Sequence, residues 1–219
     1  MNKDQATIEV KDETASQSRV LLWQVRRSIR FLKLAELGGT WRIILMDTSP
    51  EIILDNSSTG AKRLGFYLRS ESSRKLATIY IYLDSIIDGV PKIFWLSTVP
   101  MILITKTLSH EEAHHLHLDR KRSVLSKLKT KDREEVARQF AAKTVLQMRN
   151  SWKYSMGFWW IKELAFYHFC KGILAFEKDK YSLSENHYFS AWRLDPSLSE
   201  VAERHWAAKS REKVVKIND

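Results

Sequence analysis

A single cysteine, Cys170, has no partner for an internal disulfide, which excludes a cystine-stapled scaffold and a zinc ribbon built from cysteines alone. A reducing, cytoplasmic setting fits. Seven glycines and four prolines in 219 residues are too few for the many turns of an all-β fold, so a helix-rich chain is expected. Long apolar runs are also missing. Residues 1–18 carry Lys3, Asp4, Glu9, Lys11, Asp12 and Glu13 and contain no apolar leader core. The most apolar window, 93–105, is broken by Pro100 and fenced by Lys92 and Lys106, short of the roughly 18–20 residues a membrane span needs. The aromatic window 157–176 contains Lys162, Glu163, His168 and Lys171, so both windows read as buried helices and no membrane span is expected. Acidic residues are the scarcer sign, 26 against 36 Lys and Arg, for a net charge of +10. With 44% hydrophobic and 28% charged residues, the composition is that of a folded chain and excludes wholesale disorder.

What is present changes period along the chain. Residues 1–18 read as a disordered arm. Val20, Leu21, Val25, Ile29, Leu32 and Leu37 recur at helical spacing with Arg26, Arg27, Arg30 and Lys33 between them, and Gly38-Gly39 follows as a stop, giving a helix over about 18–37. Three short β-branched and aromatic runs come next: 41–46, 65–68 and 78–83. Polar stretches at 55–58 and 70–73 separate them, the pattern of a small sheet. Ser97 or Thr98 can cap a helix with Pro100 in its first turn, extending to about Arg120. A basic linker leads to a helix over about 132–148, and 152–216 reads as helical and aromatic.

The strongest chemical signal is His110-Glu111-Glu112-Ala113-His114, an HExxH motif in the second half of the helix opening at Ser97 or Thr98. Residues four apart share a helix face, so both imidazoles can reach one zinc ion. Glu111 sits slightly round the helix, where it can serve as general base toward a metal-activated water. With 7 His and 15 Glu in the chain, the motif arises by chance about 0.02 times per chain of this composition. The competing explanation is a solvated His- and Glu-rich face.

Two histidines leave a catalytic zinc one ligand short. His117 lies a further turn along an unbroken helix, and no glycine turn follows to bring it back. A third ligand from the next helix is expected. There Glu134 shares a face with Ala137, Ala141 and Met148, and small residues let two helices approach closely. Glu135 is the alternative, although as a helix-N-terminal Glu favoured by the dipole it fits an exposed role.

These segments, HEEAHHLHL followed some twenty residues on by EEVARQFAA, resemble the zincin peptidases of the ImmA/IrrE type over roughly residues 75–148. The resemblance implies zinc on His110, His114 and Glu134, Glu111 as base, and 78–83 as an edge strand along which an extended substrate lies. It further implies a cytoplasmic, narrowly specific peptidase that cleaves a repressor or similar regulatory protein. Two positions depart from the family pattern. Ala113 stands where the family has Gly before the second His, and Thr144-Val145-Leu146-Gln147 replaces its Leu-Met-Pro close.

Near the C-terminus, Gly172, Ser184, Tyr188, Ala191 and Pro196 fall near the spacing of one tetratricopeptide repeat. A lone repeat cannot bury its own core and is expected to pack on the preceding domain. Trp152, Trp159, Trp160, Trp192 and Trp206 are then expected to be packing residues, with a peptide-binding groove as the other reading. Residues 120–133 carry seven basic side chains against one acidic, Asp132. They read as a solvated loop or as a surface for nucleic acid or an acidic partner.

The expected architecture is α+β. A zincin-like catalytic domain at 19–150, with a small sheet and two metal-bearing helices, is followed by an all-helical, tetratricopeptide-like extension at 151–219. The expected activity is zinc-dependent hydrolysis of a specific protein or peptide, with Glu111 assisting the attack of a zinc-bound water. Tyr154, His168 and His115 are unranked candidates for holding the oxyanion. The alternative is a regulatory protein- or nucleic-acid-binding module with a structural zinc.

Overall fold

A computed structural model describes residues 7–14, 21–34, 40–47, 64–69, 76–119 and 130–195, together with 203–205, 207, 208, 210 and 211. The fold is mixed α/β, with a four-stranded sheet and a larger helical part. The chain divides into two compact units, Met1–Ile87 with Lys92–Tyr154 and Asp88–Pro91 with Ser155–Asp219.

In the first unit, β1 (Thr7–Asp12), β2 (Thr40–Met46), β3 (Gly65–Arg69) and β4 (Leu76–Tyr82) form one sheet in the order β1-β2-β4-β3. β1 and β4 both run parallel to β2, with Ile43 opposite Val10 and Ile79, whereas β3 runs antiparallel to β4, with Gly65 opposite Ile81. Two expectations are corrected here. Residues 7–12 are a strand rather than part of a disordered arm: they alternate Ile8 and Val10 with charged neighbours, and Glu9 on this edge pairs with Arg42 at 2.9 Å. The segment read as an edge strand, 78–83, is interior, because β2 and β3 flank it and Ala77, Ile79 and Ile81 are fully buried. A near-continuous apolar strand needs cover on both faces, which suits a central position. Among the described strands the edges are β1 and β3.

α1 (Leu22–Phe31) is shorter than the pattern over 18–37 suggests. Lys33 turns left-handed (φ 53°), and the Leu32 and Lys33 N–H groups close the last turn on Ser28 and Arg30 carbonyls. The Gly38-Gly39 stop lies outside the described residues. A short α2 (Leu83–Ile87) follows β4 directly.

α3 (Thr98–Ala113) is the spine of the unit. Ser97 caps it, its Oγ accepting from the Val99 N–H at 3.1 Å, and Pro100 sits in the first turn, where a missing N–H costs no hydrogen bond. Almost every residue from Val99 to Ala113 is buried, as expected for a helix apolar around its whole circumference. α1 lies along it through Ser28, whose hydroxyl donates to the Met101 carbonyl and accepts from Thr105 Oγ1 at 2.9 Å. Gln24 reaches the Trp95 and Ser97 carbonyls. From His114 to Asp119 the helix continues with the wider π winding, in place of the α-helix expected to run to about Arg120. α4 (Thr130–Arg149) then packs back with Ala137, Ala141, Thr144 and Met148 buried. The basic segment 120–129 lies outside the described residues.

The second unit contains the bulk of α5 (Trp152–Glu177) and α6 (Tyr181–Leu194). Gly172 lets the two helices meet: a Cβ there would stand 2.5 Å from Tyr188 Cε1, and Ser184 Oγ donates to the Gly172 carbonyl at 2.8 Å. Tyr188, Ala191 and Ala208 form a small core with Phe169, Ile173 and Phe176. The packing role expected of the tryptophans fails for Trp152, which is 83% exposed, and for Trp159 and Trp192, which are also exposed. Trp160 is half-buried, edge-on to Trp159. Trp206 lies outside the described residues. Among the described residues no helix is long and apolar enough to cross a membrane.

Candidate metal centre

Three elements bring the candidate ligands together. α3 presents His110 and starts the π-wound turn with His114; α4, seated close by the buried Ala137 and Ala141, supplies Glu134. The His110 and His114 Nε2 atoms are 3.2 Å apart. Glu134 spans both, Oε2 at 3.3 Å from His110 Nε2 and Oε1 at 3.4 Å from His114 Nε2. Each residue offers one donor atom within 4.8 Å of the others, so this His-His-Glu group can hold a metal ion. The alternative ligand does not join them: Glu135 is exposed and accepts from Gln139 Nε2 at 3.1 Å on its own helix.

The electrostatics favour ligand-ready protonation states. Burial pushes the His114 imidazole below its ordinary pKa, with His110 and Arg133 adding to that and Glu134 opposing it. The hydrogen bond from His110 holds Glu134 below the usual carboxylate range, against the effect of burial. A neutral imidazole and an ionised carboxylate are the forms that bind a divalent ion, and the shifts of His114 and Glu134 both run in that direction. Two imidazoles and a carboxylate also match the donor set of a catalytic zinc with an open fourth position.

Glu111 lies on the sheet side of α3, buried beneath β3. The strand passes over it at Gly65, where a Cβ would stand 3.1 Å from Glu111 Oε1 and 2.9 Å from Thr107 Cγ2. Two residues along, the Tyr67 hydroxyl and His115 Nδ1 are 3.0 Å apart, and Trp41 meets the same imidazole edge-on. Gly65 and Tyr67 therefore fix the edge strand against the ligand helix. Sequence reading missed both; the available signal was a glycine opening an aromatic run, a common mark of close backbone approach.

The candidate oxyanion donors fall elsewhere. His115 is buried and engaged by Tyr67, and Tyr154 packs edge-on against Phe31. His168 belongs to the second unit, where Gly89 and His187 occupy its two ring nitrogens. His117 falls in the π-wound segment. Beside the candidate ligands, Glu112 is 3% exposed, its Oε2 has no hydrogen-bond partner among the described residues, and burial raises its pKa to about 8. Its surroundings favour the protonated form over the ionised one.

Comparison with protein-family models, with curated proteins and with solved structures finds no match for this chain.

Proposed function

We propose that the chain is a zinc-dependent peptidase of the HExxH, gluzincin-like kind. The observation that carries this is the convergence of His110, His114 and Glu134 on one point, with Glu111 buried one residue along the same helix. A Zn2+ bound there would supply Lewis acidity and would lower the pKa of water at the site toward neutrality. Glu111 accepts the proton of the attacking water and delivers it to the leaving amine, the usual division of labour for a general base turned acid. His110, His114 and Glu134 would hold the ion, with the Glu134 carboxylate contributing negative charge toward it.

β3 adds support, because among the described strands it is an edge whose start lies against Glu111. An extended peptide can add to such an edge by main-chain hydrogen bonds. The resemblance to ImmA/IrrE-type enzymes suggests a regulatory protein as substrate and a cytoplasmic site of action.

Glu111→Gln is the test. It removes the base and leaves every ligand, so zinc content and fold should persist while cleavage of a peptide library falls by two or more orders of magnitude. Undiminished cleavage in this variant would remove Glu111 from the chemistry. Full biological complementation by it would favour the alternative, a binding module with structural zinc.

A further inference from the structure

A second pair of histidines faces itself in the second unit. The His168 ring is buried on α5, and its Nε2 lies 2.8 Å from the Gly89 carbonyl oxygen. A carbonyl only accepts, so the His168 proton sits on Nε2 and Nδ1 carries a lone pair. That Nδ1 is 3.2 Å from Nδ1 of His187 on α6. Gly89 is shaped for the contact: its φ is +81°, and a Cβ there would crowd His168 Nε2 at 3.2 Å.

Orienting one ring nitrogen through a backbone carbonyl, so that the other is free to bind, is the arrangement that supports metal-ligating histidines. The spacing agrees. Two imidazole nitrogens on a tetrahedral ion, each at about 2.0–2.1 Å, stand about 3.3 Å apart, while a right-angled square-planar bite brings them to about 2.9 Å. The observed 3.2 Å equals the Nε2 separation of His110 and His114. His187 is half-buried, so solvent can reach the remaining positions.

We propose that His168 and His187 bind one Zn2+ through their Nδ1 atoms, a second metal site that shares no residue with the His110–His114–Glu134 group. Binding moves the His187 proton to its Nε2. Among the described residues no third His, Cys, Asp or Glu joins the pair, so water completes the coordination and affinity is lower than at the three-ligand group. The ion clips α5 to α6 and, through the Gly89 carbonyl, to the turn Asp88–Pro91. The site does not depend on zinc being held at the HExxH motif.

The full-length chain, stripped with chelator, is titrated with Zn2+ by calorimetry, with Co2+ as a spectroscopic probe of tetrahedral geometry. Wild type should take a second equivalent more weakly than the first, and His187→Ala should weaken that second step at least tenfold while leaving the first unchanged. His187→Gln, checked by circular dichroism, serves if the alanine variant does not fold. The double variant His110→Ala/His114→Ala should lose the tight step and keep the weak one, which separates this site from the peptidase reading. Absence of a second equivalent in wild type, as for a plain N–H···N bond between the rings, overturns the proposal. So does a second equivalent that survives His187→Ala and His187→Gln.

Discussion

Gly65 and Glu111 touch across the boundary between sheet and ligand helix, so closely that a single methyl at residue 65 would come within 3.1 Å of the Glu111 carboxylate. The neighbours of that added methyl are a buried Thr107 and Glu111 itself, so one of them must give way. Gly65→Ala should therefore retain zinc, because no ligand moves, but lower turnover by tenfold or more and cost about 1–3 kcal/mol through overpacking. Thr107→Ser in the same chain removes the nearer contact and should recover part of both losses. Metal analysis and hydrolysis of one peptide substrate measure the two effects; unchanged turnover in Gly65→Ala would show that the strand does not position Glu111.

Glu134 and Glu135 are adjacent on α4 and differ sharply in surroundings. Glu134 lies 3.3 and 3.4 Å from the two histidines, whereas Glu135 bonds Gln139 in solvent. Glu134→Ala should weaken zinc by at least 100-fold, in the range seen when a ligand or its support is lost. Glu135→Ala should leave it within about twofold, because an exposed pair of this kind contributes little. A competition titration against a chelator reads both, and the reverse order would move the ligand by one residue.

Glu112 makes the pH dependence of the metal-free protein informative. Burial raises its pKa from 4.5 to about 8, so the folded chain keeps a proton that the unfolded chain has released across that window. Its contribution is whole below about pH 4.5 and is lost as pH rises toward 8, at up to about 1.4 kcal/mol per pH unit. Urea unfolding of the metal-free chain should show wild type losing stability relative to Glu112→Gln between pH 5 and 8. Parallel curves for the two proteins would mean that the carboxyl is ionised in the folded state.

Gly172 and Tyr188 meet closely in the second unit, and Gly172→Ala places a Cβ 2.5 Å from the ring. A loss of about 1–3 kcal/mol is expected. In the double variant Gly172→Ala/Tyr188→Leu the two losses should sum to less than the separate values, as for residues in direct contact. Strict additivity would mean that the helices do not meet there.

These residues also show what the sequence carries and what it withholds. His110, Glu111 and His114 were legible because a helix converts spacing in sequence directly into a shared face. Glu134 was legible more indirectly, through the small residues Ala137 and Ala141 that let α4 approach. Strand order was not legible. β4 reads like any apolar run, and only its pairing with β2, about 35 positions earlier, and with β3, 8 to 16 positions earlier, shows it to be interior and β3 to be an edge. β1 was hidden because Lys11 and Asp12 mask a period resting on just two apolar residues, Ile8 and Val10. The His168–His187 pair lies on two helices separated by a turn, a relation no local pattern encodes.

The central claim is that His110, His114 and Glu134 hold zinc. Anomalous diffraction at the zinc edge, from crystals of the full chain grown without chelator, tests it most directly because it reports position as well as content. The expected result is a peak bonded by His110 Nε2, His114 Nε2 and a Glu134 oxygen, lost in His114→Ala. Crystals grown in excess zinc that show no density between these three side chains would contradict it.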